Sequence, residues 1–234
     1  MSIPLPRLIV LASRILTREG ILDSFGHVSA RNPERPDRFF LSRARAAGLV
    51  DEADILELDL TGAPVTETPH RLFAERVIHA AIYTARPDVQ AVCHHHAPQM
   101  LPFCNAGIEL VPVFHLGATM GPKVPFWDSR DEFGDTNLLV STPEQGASMA
   151  KALGPNWTLL LRRHGVTTAG RSVPELVFRT IYGSRNAEAQ LATMQIGTIS
   201  PLTPGEAALA EEFNLKPIAL DRAWEQWQRG VESA

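Results

Sequence analysis

Strand-like and helical stretches are mixed along this chain without the regular βαβ alternation that a doubly wound parallel sheet requires, which points to a central sheet with flanking helices. Leu5, Leu8, Ile9, Ala12 and Leu16 recur at helical spacing, and Gly20 ends that segment. Strand-like runs follow at residues 26–31, 38–42 and 55–60, separated by Pro- and Asp-containing turns. Pro69 opens an expected helix to Ala85, stopped by Arg86-Pro87 because the residue before a proline is pushed out of the helical region. Residues 89–96 and 109–115 read as strands. Thr142, Pro143 and Gln145 form an N-terminal signature for a helix closed by Gly154. A strand at 157–161, a turn at Arg163-His164-Gly165 and a return strand at 166–169 come next. Ser172 and Glu175 spell a capping box for a long helix to about Met194, and two short amphipathic pieces, one carrying Trp224 and Trp227, form a helical tail.

Composition narrows the function classes. With 44% hydrophobic and 21% charged residues in 234, disorder, collagen and coiled coil are poor readings. The 22 basic and 26 acidic residues leave a net charge of -4, without the basic excess expected of a nucleic-acid partner. The apolar run from Leu8 to Ala12 is too short for a signal peptide or a membrane span, so neither is expected. Cys93 and Cys104 are too few for a disulfide scaffold and lack zinc-finger spacing, so a cytoplasmic location is expected. Only Lys123, Lys151 and Lys216 are lysines among the basic residues. Nucleotide composition alone can produce that bias; a fixed guanidinium fork also suits gripping carboxylates or phosphates. All eight histidines fall between His27 and His164, and three are consecutive.

On a strand, residues two apart share a face, so His94 and His96 present two imidazoles together while His95 points away. Such a pair can chelate a metal once further ligands join it, and His164, in a tight turn after an apolar strand, can complete a facial three-nitrogen site with open positions. Buried histidines without metals are also common. No acidic residue follows His96 at 97–100, and no His-Glu-x-x-His occurs, which removes several competing metal motifs. Projecting 69–85 as a helix places Glu75 within about 60° of Ile78, His79 and Ile82. An acid on an apolar face is paired, metal-bound or held neutral by a raised pKa. A structural Glu75–His79 pair is one reading; a general acid/base or resting metal ligand beside the histidines is the other.

Gly26-His27-Val28-Ser29-Ala30-Arg31, Glu75, Arg86-Pro87-Asp88, His94-x-His96 and His164-Gly165, in that order, resemble the class II aldolase/adducin family over roughly residues 5–195. The resemblance implies an α/β fold: a single α/β/α domain, 1–234, with a mainly antiparallel central sheet and a C-terminal helical tail. It also implies a C4-type homotetramer with active sites at subunit boundaries. His94, His96 and His164 match the metal ligands and Glu75 the catalytic acid/base.

The departures bear on substrate. His27 stands where sugar-phosphate members carry Asn, Ser42-Arg43-Ala44-Arg45 replaces a hydroxyl-rich turn, and Phe73-Ala74 replaces a Ser-Ser pair. Phe73 cannot donate to phosphate. Leu116 takes the place of an aldolase tyrosine, after His115. In place of the phosphate cradle stand Arg43, Arg45, His70 and Arg71, with His27 nearby, a set suited to a planar carboxylate. Within the family this pattern resembles the branch that decarboxylates hydroxylated aromatic dicarboxylates, with a pyridine ring as the implied small-molecule substrate. Glu75 is then the proton carrier and His115 a second proton-handling candidate. Three nitrogen ligands leave Mn²⁺, Fe²⁺, Co²⁺ and Zn²⁺ open; resemblance favours Mn²⁺. The alternatives are a class II aldolase or sugar-phosphate 4-epimerase, and a non-catalytic adducin-like interaction module.

Overall fold

In the computed structural model, which describes residues 3–233, helix α1 (Leu5–Arg18) carries Pro6 in its first turn, where a missing N–H is harmless. Strands β1 (His27–Arg31), β2 (Arg38–Ser42) and β3 (Ile55–Asp59) follow, then α2 (Arg76–Ala85), β4 (Ala91–His95), α3 (Leu101–Ala106), β5 (Phe126–Trp127) and α4 (Arg130–Phe133). The remaining elements are α5 (Pro143–Leu153), β6 (Thr158–Leu161), β7 (Gly165–Gly170), α6 (Val173–Ile196), α7 (Pro204–Asn214) and α8 (Pro217–Glu232).

The strands form one seven-stranded sheet in the order β3-β2-β1-β4-β7-β6-β5. Every neighbouring pair is antiparallel except β5 and β6, so the expected mainly antiparallel sheet is a mixed one with a single parallel edge pair. β1, β4 and β7 are buried along their whole length. Alternation along them therefore separates two interiors instead of core from solvent. Val28, Ala30, Ala91 and Cys93 pack with α1, α6 and α8, whereas Phe39, Leu41, Val92 and Ala169 pack with α2 and α5. Parity thus sends His27, Ser29 and His94 toward α2, and His95 to the opposite layer.

Three local expectations change. The helix expected from Pro69 begins only at Arg76, with Glu75 at its N-cap. Upstream, the Arg71 carbonyl accepts from the Ala44 N–H at 2.8 Å and the Phe73 carbonyl accepts from the Arg76 guanidinium at 2.9 Å, so this backbone is drawn toward the end of β2. Residues 109–115 form no strand. Two side chains of α6 stand in for a sheet partner: Asn186 accepts from the Val113 N–H and donates to the Val111 carbonyl, each at 2.8 Å, while Gln190 accepts from the Val111 N–H at 2.9 Å and donates to the Glu109 carbonyl at 2.8 Å. At α6, Ser172 accepts from the Glu175 N–H as expected, but the Glu175 carboxylate turns to Arg179 at 2.7 Å instead of closing the box. Buried Arg179 also reaches Glu211 of α7 at 2.8 Å, fastening the tail to the domain. Trp224 and Trp227 are buried in this chain's own core, the latter with its ring centroid 6.0 Å from that of Phe178.

Replacing Asn186 by alanine should strand the amide of Val113 and the carbonyl of Val111. We expect a loss of about 2–4 kcal/mol in urea unfolding, against under about 0.5 kcal/mol for an exposed α6 position such as Glu188.

Candidate metal centre

The register of the sheet brings distant histidines to one end of it. His27 pairs with His94 across β1 and β4, and His95 pairs with Val166 across β4 and β7, just after His164. Two glycines permit the close approach. Gly26 has φ +90°, and a Cβ there would lie 2.8 Å from the His94 carbonyl oxygen. At Gly165 a Cβ would meet both the His95 carbonyl oxygen and the His96 ring at 2.6 Å. Between β6 and β7, Arg163 takes a left-handed conformation (φ 53°) and its N–H donates to the Cys104 carbonyl at 3.0 Å, which fixes the turn that projects His164.

His94 Nε2 and His96 Nε2 lie 3.2 Å apart. One nitrogen from each of His94, His96 and His164 falls within 4.8 Å of the others, a gathering of metal-type donors found nowhere else among the described residues. Glu75 faces the same point, with Oε1 3.4 Å from His164 Nε2 and Oε2 3.7 Å from His94 Nε2. Burial depresses all three imidazole pKa values, His164 to about 4 with a further contribution from His96. The rings are neutral at pH 7, so each keeps a lone pair to give. On the far side of His94, Nδ1 lies 3.3 Å from Thr167 Oγ1, which steadies the ring. Three neutral imidazoles with a carboxyl beside them fit a divalent cation with positions left for a ligand.

Glu75 itself is raised from 4.5 to about 7 by burial, opposed by the Val140 N–H that donates to Oε1 at 3.1 Å. It owes this position to its place at the N-cap and not to a helical apolar face. The alternative pair with His79 does not form, because His79 lies against His27 and Ser29, each at 2.6 Å.

The basic residues divide into three environments. His27 is buried, 4.4 Å between centroids from Phe73 and 5.5 Å from His94, and burial, then His96 and His164, pull its pKa down to about 3. Arg43 and Arg45 converge on buried Asp54, each at 2.6 Å. Burial opposes the ionisation of Asp54, but the Asp51 amide and the two guanidinium groups overcome it and hold its pKa at about 2. His70 and Arg71 are exposed, tied to the 43–45 turn through the Ala44–Arg71 backbone bond. His115 is not brought to the trio. It is exposed, and its carbonyl accepts from Asn214 of α7 at 3.3 Å. Asp54, the Val140 amide and Tyr83 belong to no motif of the sequence, whereas Ser29 lies within the Gly26–Arg31 motif. Ser29 also stands two residues beyond His27, on the same face of β1.

A protein-family model described as the class II aldolase and adducin N-terminal domain matches residues 7–191. The decarboxylase tropJ of Talaromyces stipitatus is 33% identical over 254 residues, spanning 99% of this chain and 95% of that protein. The 3,4-dihydroxyphthalate decarboxylase of Arthrobacter keyseri is 30% identical over 180 residues, spanning 74% of this chain and 72% of its own. Among solved structures, the L-fuculose 1-phosphate aldolase from Glaciozyma antarctica PI12 superimposes with a TM-score of 0.81 over 98% of this chain and 88% of that one. At 24% identity that likeness is one of fold.

The buried rings make metal-free protein acid-labile. His27, His79, His94 and His95 have folded pKa values below the ordinary 6.5, so the unfolded chain binds more protons as pH falls through 6.5 and stability is lost. Glu75 acts in the opposite sense, since its folded value of about 7 exceeds 4.5 and its contribution fades as pH rises between the two. At about 1.4 kcal/mol per pH unit for each group, four rings outweigh one carboxyl. The melting temperature of metal-free protein should fall by about 10 °C between pH 7.5 and 5.5; a flat profile would contradict neutral, buried rings.

Proposed function

Because this chain belongs to the class II aldolase and adducin family, we propose that it is a metal-dependent decarboxylase acting on a hydroxylated aromatic dicarboxylate. The observation that carries the reading is Glu75, a carboxyl with a pKa near 7 standing 3.4–3.7 Å from two of three convergent neutral imidazoles. Decarboxylases among its relatives, one alike over nearly the whole of both chains, give the reaction type its support. The proposed substrate is not a sugar phosphate but 3-hydroxy-2-methylpyridine-4,5-dicarboxylate, an intermediate of vitamin B6 degradation. Its ring, with a hydroxyl next to a carboxylate, shares that arrangement with 3,4-dihydroxyphthalate, the compound named for the second relative. Phe73, packed on His27, supports this over a sugar phosphate, because it offers an apolar wall where a phosphate needs donors.

A divalent cation on His94, His96 and His164, with Mn²⁺ proposed, would supply Lewis-acid stabilisation of a ring-oxygen anion and a template for the substrate. Glu75, protonated near neutral pH, delivers its carboxyl proton to the ring carbon that bears the departing carboxylate. The bond to that carboxylate then breaks, carbon dioxide leaves, and the bonding pair returns to the ring and restores aromaticity. The Val140 N–H, donating to Oε1, stabilises the Glu75 carboxylate left behind until solvent reprotonates it. Arg43 and Arg45, aimed by Asp54, and Arg71 form the proposed hold on the carboxylate that is retained. His70 borders this group, and His115 is a proposed proton carrier for a neighbouring subunit, since its ring stands exposed on its own chain. That role accords with a homotetramer whose sites lie at subunit boundaries. Two unpaired buried thiols, Cys93 and Cys104, accord with a cytoplasmic protein.

Carbon dioxide release from the pyridine dicarboxylate, with 3,4-dihydroxyphthalate as a parallel substrate, tests the reading. Activity should vanish with a chelator and return best with Mn²⁺; chelator-insensitive turnover would remove the metal role. Glu75→Gln should keep its metal and lose about 10²–10⁴-fold in kcat. Arg43→Ala and Arg71→Ala should raise KM for dicarboxylates about tenfold while leaving monocarboxylates nearly unchanged, as expected for loss of a charged hydrogen bond.

A further inference from the structure

Beneath the trio runs a buried string of polar groups that the proposed reaction leaves unused. His27 Nδ1 lies 2.6 Å from His79 Nε2, His79 Nδ1 lies 2.6 Å from Ser29 Oγ, and Ser29 Oγ lies 2.8 Å from the Tyr83 hydroxyl. Ser29, His79 and Tyr83 have no more than 1% of their surface exposed, so these three groups are shut off from water. Phe39 walls it, with ring centroids 6.4 Å from His79 and 5.2 Å from Tyr83.

Such a string has a direction, because each nitrogen of a neutral imidazole either donates or accepts. Tyr83 sets it. Burial keeps the phenol protonated, and Ser29 Oγ is the one acceptor within hydrogen-bond distance of its hydroxyl among the described residues. With no other acceptor in reach, the buried phenol turns its proton toward Ser29. Ser29 then donates to His79 Nδ1, and His79 donates from Nε2 to His27 Nδ1. The proton of His27 is left on Nε2. That nitrogen makes no hydrogen bond among the described residues and is not sealed from solvent.

We infer that Tyr83, Ser29 and His79 are positioning residues that fix His27 as a neutral Nε2–H donor beside the metal ligands, where it takes an anionic oxygen of the substrate. A neutral donor suits this place. A cationic side chain here would be repelled by a bound divalent ion, whereas an imidazole N–H binds an anion without weakening the metal site. The identity of that anion rests on the proposed decarboxylation; the tautomer of His27 does not.

The test is ¹⁵N NMR of histidine-labelled, zinc-substituted protein, with the His27 signal identified by its loss in His27→Asn. The wild type should show His27 protonated on Nε2 and bare on Nδ1. Ser29→Ala and Tyr83→Phe, which cut the string at different links, should each turn this into a tautomer mixture. In the same variants, KM for the dicarboxylate should rise about fivefold with kcat within about twofold and metal content unchanged. His79→Gln, which can still donate an amide N–H to His27 Nδ1, should keep KM near the wild-type value. A wild-type His27 protonated on Nδ1, or a tautomer unmoved in both cut variants, overturns the inference. Absence of carbon dioxide release alongside the expected tautomer overturns only the substrate reading.

Discussion

The antiparallel register between β1 and β4 places His27 opposite His94 and, through parity, turns both rings toward α2. Everything at the candidate centre depends on this pairing. A slip of one residue would exchange the faces, sending His94 into the layer that holds Cys93 and bringing His95 toward Glu75. The pairing is well specified because both faces are buried, so a slipped strand would have to repack two interiors at once. Gly26 and Gly165 belong to the same constraint, since any side chain at either would push β1 or the His164 turn away from β4.

Burial supplies the chemistry of the centre as well as its shape. The same exclusion of water that keeps the imidazoles unprotonated raises Glu75 to about 7, so bases and acid acquire their states from one environment. Depressing the rings makes donors of them, and raising the carboxyl makes it a carrier of a proton at neutral pH. Asp54 sits in a different surrounding. There, backbone and guanidinium hydrogen bonds overcome burial, and the carboxylate stays ionised and holds Arg43 and Arg45 in fixed directions. Two carboxyl groups of the chain thus differ in state because one is surrounded by neutral groups and the other by donors.

Hydrogen bonding by side chains to backbone explains where local pattern misleads. Residues 109–115 have strand-like composition, yet Asn186 and Gln190 complete their backbone bonds and leave them outside the sheet. Residues 69–75 have a helix-opening proline, yet Ala44 and Arg76 engage their carbonyls and hold them open. In each case the deciding partner lies far away in sequence, which periodicity within a short window cannot register. The capping residues at Thr142 and Ser172 were legible because their partners lie within three positions.

By itself, the sequence determined that this chain builds a mixed layer of sheet and helices, that His94 and His96 share a face, and that His164 closes a turn after an apolar strand. These follow from spacing, turn chemistry and alternation, which act over a few residues. Tertiary structure decided that the three rings meet, that Glu75 joins them from a helix N-cap, that Asp54 restrains two of the arginines, and that His115 stands apart. It also decided that His27, Ser29, His79 and Tyr83 form one connected string across β1 and α2. Those outcomes depend on sheet register and on which groups lose their water together, and both are properties of packed layers that no stretch of chain possesses alone.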